Sequence, residues 1–229
     1  MPKKELVRED LIAHSDPKSP VAEAFRILRT NLYYSNLDKE LKKVMVTSAG
    51  PAEGKSTILS NLAVTVAQTE QKVLLIDADL RKPVQHKVFG VSNQRGLTNL
   101  LVEDLDLSEV IQETQVKNLS ILASGPIPPN PSELLGSKRM DKFLDSISGF
   151  DIVFIDAPPA VAVTDPAVIA PKVDGVLMVI NSKKVKIEMA QHAKAQLENA
   201  KGRILGVILN NVEYKGADYQ YYYYYGEDK

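Results

Sequence analysis

The chain has 229 residues, of which 28 are Lys or Arg and 29 are Asp or Glu, so its formal net charge is -1 at pH 7. This length allows one sizeable α/β domain with a buried core. The balanced charge predicts no field that would attract nucleic acid, and we therefore expect no nucleic-acid partner. The absence of cysteine excludes disulfides and thiolate metal sites and suits a reducing cytoplasm.

The N-terminus lacks the apolar run of a signal peptide. The longest apolar run, residues 176–180, is far shorter than the ~20 residues that span a bilayer. We therefore expect any membrane role to come through a partner.

Polar residues of mixed charge predict a flexible arm over residues 1–17. A helix is predicted from Pro20 to about Tyr34, because Ser19 is a good N-cap, proline suits the first helical position, and apolar residues recur at helical spacing. Its three regularly spaced charged residues are Glu23, Arg26 and Arg29. The spacing places them along one side of the helix and, by itself, favours a solvated charged face with a local pair between the first two.

A loop of small residues lies between a predicted strand at 44–46 and a predicted helix at 58–66. Its backbone N–H groups can close around an oxyanion, and the helix that opens at Lys55 directs its positive dipole end to the same place. Lys55 would reach the outer phosphates of a nucleotide, and the Ser56 hydroxyl would ligate Mg²⁺. The residues predicted to bind the nucleotide here are Gly50, Pro51, Ala52, Glu53, Gly54, Lys55, Ser56 and Thr57.

Acidic residues end two predicted strands. Asp77 and Asp79 follow the apolar residues 73–76 of the predicted strand that begins at residue 72, and Asp156 ends the predicted strand 151–156. Ligands in open α/β sheets bind beyond the carboxyl ends of strands, so these acids are expected beside the phosphates. Acids in that place would repel a triphosphate unless Mg²⁺ or a substrate proton intervened.

The remaining segments continue an alternation of strands and helices. Strands are predicted at 119–122, 175–181 and 204–211 and a helix at 187–200, whereas 84–118 is expected to be helical and irregular. A proline-rich loop precedes a short helix that begins at Ser132. The alternation predicts an α/β fold with a mostly parallel sheet and helices on both faces.

The C-terminal segment is rich in tyrosine. Six of the nine tyrosines lie within seven positions: Tyr219, Tyr221, Tyr222, Tyr223, Tyr224 and Tyr225. The run does not alternate as a half-buried strand would, and termini are usually loose. We interpret it as a cluster of phosphate acceptors, with a sticky or structural terminus as the alternative. The predicted organisation is therefore an arm (1–17), a single domain (18–214) and a flexible tail (215–229).

Together these motifs resemble those of the bacterial tyrosine kinases, and in particular the separate cytoplasmic kinase subunits that work with a membrane activator in capsule or exopolysaccharide production. The resemblance covers nearly the whole chain. It rests on residues 53–57, 77–83 and 156–159, on the proline loop before 133–135, on the tyrosine cluster, and on Glu23, Arg26 and Arg29, which match the family's E-x-x-R-x-x-R oligomerisation motif.

The resemblance implies a P-loop NTPase fold and an ATP-dependent tyrosine kinase that phosphorylates its own tail in trans. It implies Mg²⁺ held by Ser56, Asp77 and Asp156, directly or through water, and Asp79 as the base, with Asp77 able to exchange roles with it. Thr57 would help to hold the α-phosphate, and Asn210, at a strand end, is a weaker candidate for the adenine pocket.

The implied partners are other copies of the chain in a ring, a transmembrane activator of the polysaccharide co-polymerase type, and proteins with substrate tyrosines. The implied location is the cytoplasm, with recruitment to the inner face of the cell membrane by the activator. Two alternatives stay open. One is a partition- or division-type ATPase with nucleotide-gated dimerisation, although that branch carries an extra lysine where this chain has Gly50. The other is a non-catalytic adaptor.

Overall fold

The computed structural model describes residues 11–35, 40–103 and 105–213. The strands are β1 Lys43–Ser48, β2 Val73–Asp77, β3 Ile111–Glu113, β4 Leu119–Leu122, β5 Ile152–Asp156, β6 Gly175–Asn181 and β7 Ile204–Asn210. The helices are α1 Ile12–Ser15, α2 Pro20–Tyr34, α3 Lys55–Ala67, α4 Gln85–Phe89, α5 Leu97–Val102, α6 Pro131–Leu135, α7 Lys138–Ser146, α8 Asp165–Ile169 and α9 Ile187–Asn199, with 3-10 turns at Leu107–Glu109 and Ala170–Lys172.

The strands form one sheet in the order β3-β4-β2-β5-β1-β6-β7. All neighbouring strands are parallel except β3 and β4, which are antiparallel. Parallel strands join through crossover helices, and these cover both faces of the sheet. The predicted fold class, a mostly parallel sheet between layers of helices, is confirmed.

The apolar strands supply two cores, one on each face of the sheet. Val44 and Val46 of β1 pack with α1, α2 and α3 on one face, whereas Met45 packs with α5, α7 and α9 on the other. Strands that are buried on both faces read as continuous apolar runs, which is why their positions could be predicted.

Residues 11–17 differ from the flexible arm that the polar composition suggested. Leu11 and Ala13 are each 1% exposed and belong to the core beside α3. The Ala13 N–H donates to Asn61 Oδ1 at 2.9 Å, and Gln68 Nε2 donates to the Ala13 carbonyl at 2.9 Å. Two anchored backbone groups and a buried leucine therefore hold α1 in place, although four residues are too few to show a helical period.

The short antiparallel strand β3 was also unexpected, because it lies within 84–118 and its three residues are only partly buried. Residues 1–10 of the predicted arm and the predicted tail, 215–229, lie outside the described residues. Within the described ranges, no helix combines the length and apolarity that a membrane crossing requires.

The packing of α1 predicts that Leu11→Ala lowers the free energy of unfolding by about 2–3 kcal/mol, because it empties a buried leucine site. Urea denaturation of the full chain measures this. Ile27→Ala, at a position 43% exposed on α2, is the matched control and should change it by less than about 0.5 kcal/mol. Equal effects of the two substitutions would show that α1 is not docked.

Candidate active site

The phosphate loop connects β1 to α3 through two residues in the left-handed region. Gly54, which caps α3, has φ +89°, and Ala52 has φ +56°. A Cβ at Gly54 would lie 2.4 Å from Asn210 Nδ2, so glycine is required there for space as well as for conformation. Ala52 accepts a backbone conformation that is uncommon for residues with a side chain.

Glu53 and Asn210 hold the loop in shape. The Glu53 carboxylate is turned inward, where it accepts the N–H of Gly50 and, at 2.8 Å, the N–H of Asn181. Asn210 Nδ2, at the end of β7, donates to the Glu53 carbonyl at 2.8 Å. The Glu53 side chain therefore braces the loop. We therefore expect Glu53 to contribute to nucleotide binding through its backbone only.

Lys55 lies at the centre of the site. Its Nζ is 2.9 Å from Asp156 Oδ1, 3.0 Å from Asp79 Oδ2 and 3.1 Å from Ser56 Oγ. Burial lowers the pKa of Lys55, but the attraction of Asp156 and Asp79 outweighs burial, so the pKa is raised and the amine is charged. The structure thus brings together four residues that the sequence singled out.

Asp77 lies beside this group in a different environment. It ends β2 directly opposite Asp156 at the end of β5. Its Oδ2 accepts the N–H groups of Val84 and Gln85 at 3.1 and 3.0 Å, and its Oδ1 accepts the Asp79 N–H at 3.3 Å. Burial first, and then the charge of Asp156, raises the pKa of Asp77 to about 8, although the Gln85 N–H and Lys55 oppose the rise.

Sequence reasoning missed Gln85, which is fully buried at the start of α4. Its Nε2 donates to Asp156 Oδ2 at 2.7 Å and to the Ser56 carbonyl at 3.3 Å. Its Oε1 accepts from Ser60 Oγ at 2.7 Å. A glutamine within an irregular stretch gives no periodic or motif signal, and only the three-dimensional arrangement identifies it.

Arg81 follows Asp77 and Asp79 in the segment after β2, and its side chain anchors that segment. Its Nε and Nη2 donate to the two carboxylate oxygens of Asp165 at 2.9 Å each, and Nη2 also donates to Ser132 Oγ at 3.2 Å. Asp165 is fully buried at the start of α8, and Ser132 belongs to α6. The paired contact joins the segment after β2 to the start of α8, and the Ser132 bond joins it to α6.

The charged residues of α2 are paired within the chain. Arg26 forms an ion pair with Glu23 and also donates to the Pro17 carbonyl. Arg29 Nη1 donates to the Thr65 carbonyl at 2.7 Å, near the end of α3. The local pair that the spacing favoured is therefore present. The assignment of these residues to an oligomer interface stays a prediction.

The donors of the site suit a magnesium nucleotide. Among the described residues, no group of three or more His, Asp or Glu is arranged to hold a metal ion by itself. Phosphate-loop sites need fewer protein ligands, because phosphate oxygens and water complete the Mg²⁺ shell. The Ser56 hydroxyl and the Asp156 carboxylate, both within 3.1 Å of Lys55 Nζ, are oxygen donors of the required kind.

The sheet order, the loop, the lysine and the strand-end acids define a P-loop ATPase. The AAA domain family matches residues 41–205. The chain is 43% identical to the tyrosine-protein kinase YwqD of Bacillus subtilis over 94% of this chain and 92% of that protein. It is 40% identical to the tyrosine-protein kinase CpsD of Streptococcus agalactiae over 90% of each chain. The chain belongs to the bacterial tyrosine-protein kinases.

Solved structures agree with this placement. The kinase domain of the Escherichia coli tyrosine kinase ETK superposes with a TM-score of 0.86 at 37% identity, over 90% of this chain and 82% of that one. The septum site-determining protein MinD of Pyrococcus horikoshii, complexed with Mg-ADP, is more distant, with a TM-score of 0.63 at 25% identity over 74% of this chain and 70% of that one. The division ATPase therefore shares the fold, but its structure is less similar to this chain than that of the kinase domain.

The environment of Asp77 predicts a pH dependence of stability in the absence of nucleotide. Between its ordinary pKa of 3.8 and about 8, the native carboxyl holds a proton that the unfolded chain has released. The native state then binds more protons than the unfolded state, so this contribution to stability is lost as pH rises through that window, with a slope of at most about 1.4 kcal/mol per pH unit.

Urea denaturation of Asp77→Asn from pH 5 to 8 should therefore show a flatter pH profile than the wild type. Asp145→Asn, which changes a side chain that is 82% exposed, is the control and should keep the wild-type slope. Parallel profiles for Asp77→Asn and the wild type would contradict a protonated Asp77.

Proposed function

We propose that this kinase transfers the γ-phosphoryl group of ATP to tyrosines in the C-terminal segment of a neighbouring copy, and also to tyrosines of other proteins. By family resemblance, we assign its role to the control of capsular or exopolysaccharide synthesis and export. The observation that carries the proposal is the buried Lys55 amine, which lies within 3.1 Å of Asp156, Asp79 and Ser56 at the head of the phosphate loop.

Phosphoryl transfer requires neutralised charge on the transferred group and an acceptor held in line. Lys55 and the loop N–H groups supply fixed positive charge where the phosphates would lie. A bound Mg²⁺ would supply further positive charge against the charge that develops on the phosphates. Ser56 and Asp156 are the residues that would hold it, directly or through water. Asp77, the register partner of Asp156, is a further candidate for the same role.

Asp79 is the better candidate for the base. Its Oδ2 faces Lys55 and its Oδ1 accepts the Lys82 N–H at 3.0 Å, and the residue is 5% exposed. Asp77 is fully buried, and backbone N–H groups occupy its carboxylate. As the phenol oxygen attacks the γ-phosphorus, its proton passes to Asp79 and ADP leaves. Because a phenol has a pKa near 10, transient acceptance by a carboxylate is sufficient.

The length of the tail suits transfer between subunits. Residues 215–229 would span up to about 50 Å when extended. Each phosphotyrosine adds roughly -1.5 to -2 charge, so full modification adds on the order of -10. We propose that unmodified tails dock in a ring formed through the α2 residues Glu23, Arg26 and Arg29, and that modified tails are repelled by the site acids and loosen the ring.

The remaining partner is a transmembrane activator, which would recruit the chain from the cytoplasm to the inner face of the membrane. The support is the resemblance of the chain to kinase subunits that work with such an activator. The alternative of a partition-type ATPase is less well supported. The extra lysine of that branch is absent from this chain, because Gly50 occupies its position.

Incubation with Mg-ATP should add phosphates to the C-terminal peptide of the wild type, detected as mass steps of one phosphate by mass spectrometry. Lys55→Met should lower the rate at least about 100-fold, because it removes the central positive charge. Since that variant leaves two buried carboxylates unpaired, Asp79→Asn is a second test with the same expected direction.

ATP hydrolysis without phosphate on the protein would instead support a partition-type ATPase. The absence of both ATP binding and hydrolysis would support an adaptor.

The ring hypothesis predicts a change of size on modification. Light scattering should show smaller particles for the fully phosphorylated protein than for a variant in which the six clustered tail tyrosines are phenylalanine, because phosphates repel the acidic sites. Replacement of both Arg26 and Arg29 by alanine should give small particles in either state. The same size for the phosphorylated and tyrosine-free forms would contradict the switch.

A further inference from the structure

Gln85 contacts both acids that end the central strands. Its side-chain Nε2 donates to Asp156 Oδ2 at 2.7 Å, and its backbone N–H donates to Asp77 Oδ2 at 3.0 Å. The two acids are register partners on β5 and β2. A single residue at the start of α4 therefore orients both carboxylates.

The same side chain reaches the helix that carries Lys55 and Ser56. Gln85 Nε2 lies 3.3 Å from the Ser56 carbonyl, and Gln85 Oε1 lies 2.7 Å from Ser60 Oγ. The amide orientation is fixed chemically, because the Asp156 carboxylate can only accept and must therefore face the NH₂ group. Ser60 Oγ is also 2.7 Å from the Ser56 carbonyl, so its single proton serves one of two acceptors at a time.

From these contacts we propose that Gln85 is a positioning residue for the magnesium nucleotide. It occupies Asp156 Oδ2 and so leaves Oδ1 directed at Lys55, and it fixes the distance between that acid and the first turn of α3. This inference rests on the proposed kinase function and extends it, because it names a residue that touches neither nucleotide nor acceptor but determines how the acid is presented.

Loss of the amide has a defined consequence. In Gln85→Leu, which has similar volume, Asp156 Oδ2 becomes a buried acceptor without its donor, and the carboxylate is free to turn both oxygens toward Lys55. Asp156 would then be less well presented to Mg²⁺, whereas Lys55 keeps its place beside the phosphate loop. Groups that orient a metal ligand typically contribute 10- to 100-fold to metal affinity.

The experiment measures ADP binding to the full chain by calorimetry, with Mg²⁺ and with EDTA. For Gln85→Leu we expect the Kd in EDTA to stay within about twofold of the wild type and the Kd with Mg²⁺ to rise about 10-fold. Gln85→Glu keeps the acceptor for Ser60 but replaces the donor that faces Asp156, so we expect at least the same loss. If Gln85→Leu does not fold, Gln85→Asn, which keeps the amide but shortens its reach, replaces it with the same expectation.

Thr65→Val is the matched control, since it removes a buried hydroxyl from α3, the helix that Gln85 contacts, and this hydroxyl donates only within α3, to the Leu62 carbonyl. It should change neither Kd. If the Gln85 variants bound ADP equally weakly with Mg²⁺ and with EDTA, or as tightly as the wild type, the positioning role would be overturned and Gln85 would be a merely structural residue. Wild-type protein without Mg²⁺-dependent ADP binding would overturn the proposed function as well, whereas normal wild-type binding with unaffected variants would overturn only this inference.

Discussion

The balance of charge around Lys55 is the constraint on which the site depends. Asp77, Asp79 and Asp156 lie within one small region and are at most 5% exposed, and a single lysine amine forms ion pairs with two of them. Burial and the neighbouring Asp156 charge raise the pKa of Asp77. The site is therefore short of positive charge and suited to receive a cation, which explains how acids next to a phosphate loop can favour a magnesium nucleotide.

The protein meets this constraint with backbone as well as side chains. The N–H groups of the segment after β2 are directed at Asp77, and Gln85 supplies a neutral donor to Asp156. On the other side, α3 is buried from Ile58 to Ala67, so packing fixes the helix whose first turn carries Lys55 and Ser56. Acids and lysine are thus held by different elements, the strand ends and α3, which also pack against each other in the core.

Much of this could be predicted from sequence, because its parts have local signals. The loop with Gly54 and Lys55, the continuous apolar strands and the acids that end them follow rules that operate over a few residues. From those signals the juxtaposition of Asp79 and Asp156 with Lys55 followed once the sheet was taken as parallel. The different roles of Asp77 and Asp79 could not be predicted from the sequence. The two acids differ only in how the chain turns after β2.

The features that sequence reasoning missed depend on contacts between distant segments. The helix α1 is ordered by Asn61 and Gln68, about 50 residues further along the chain, and Gln85 acquires its role from Ser60 and Asp156. The inward turn of Glu53 depends on the Asn181 N–H from β6. None of these contacts leaves a periodic pattern or a motif spacing in the sequence, so only the folded arrangement shows them.

The direction of β7 has a consequence for the geometry of a ring. Since β7 runs parallel to β6, which runs parallel to β1, the last strand ends at the same edge of the sheet as the phosphate loop, and Asn210 touches that loop directly. The last described strand thus ends at the level of the catalytic groups. For the proposed ring, this means that residues beyond 213 would begin at the level of the active site, rather than on the far side of the domain, if its subunits lay in one plane with the same orientation.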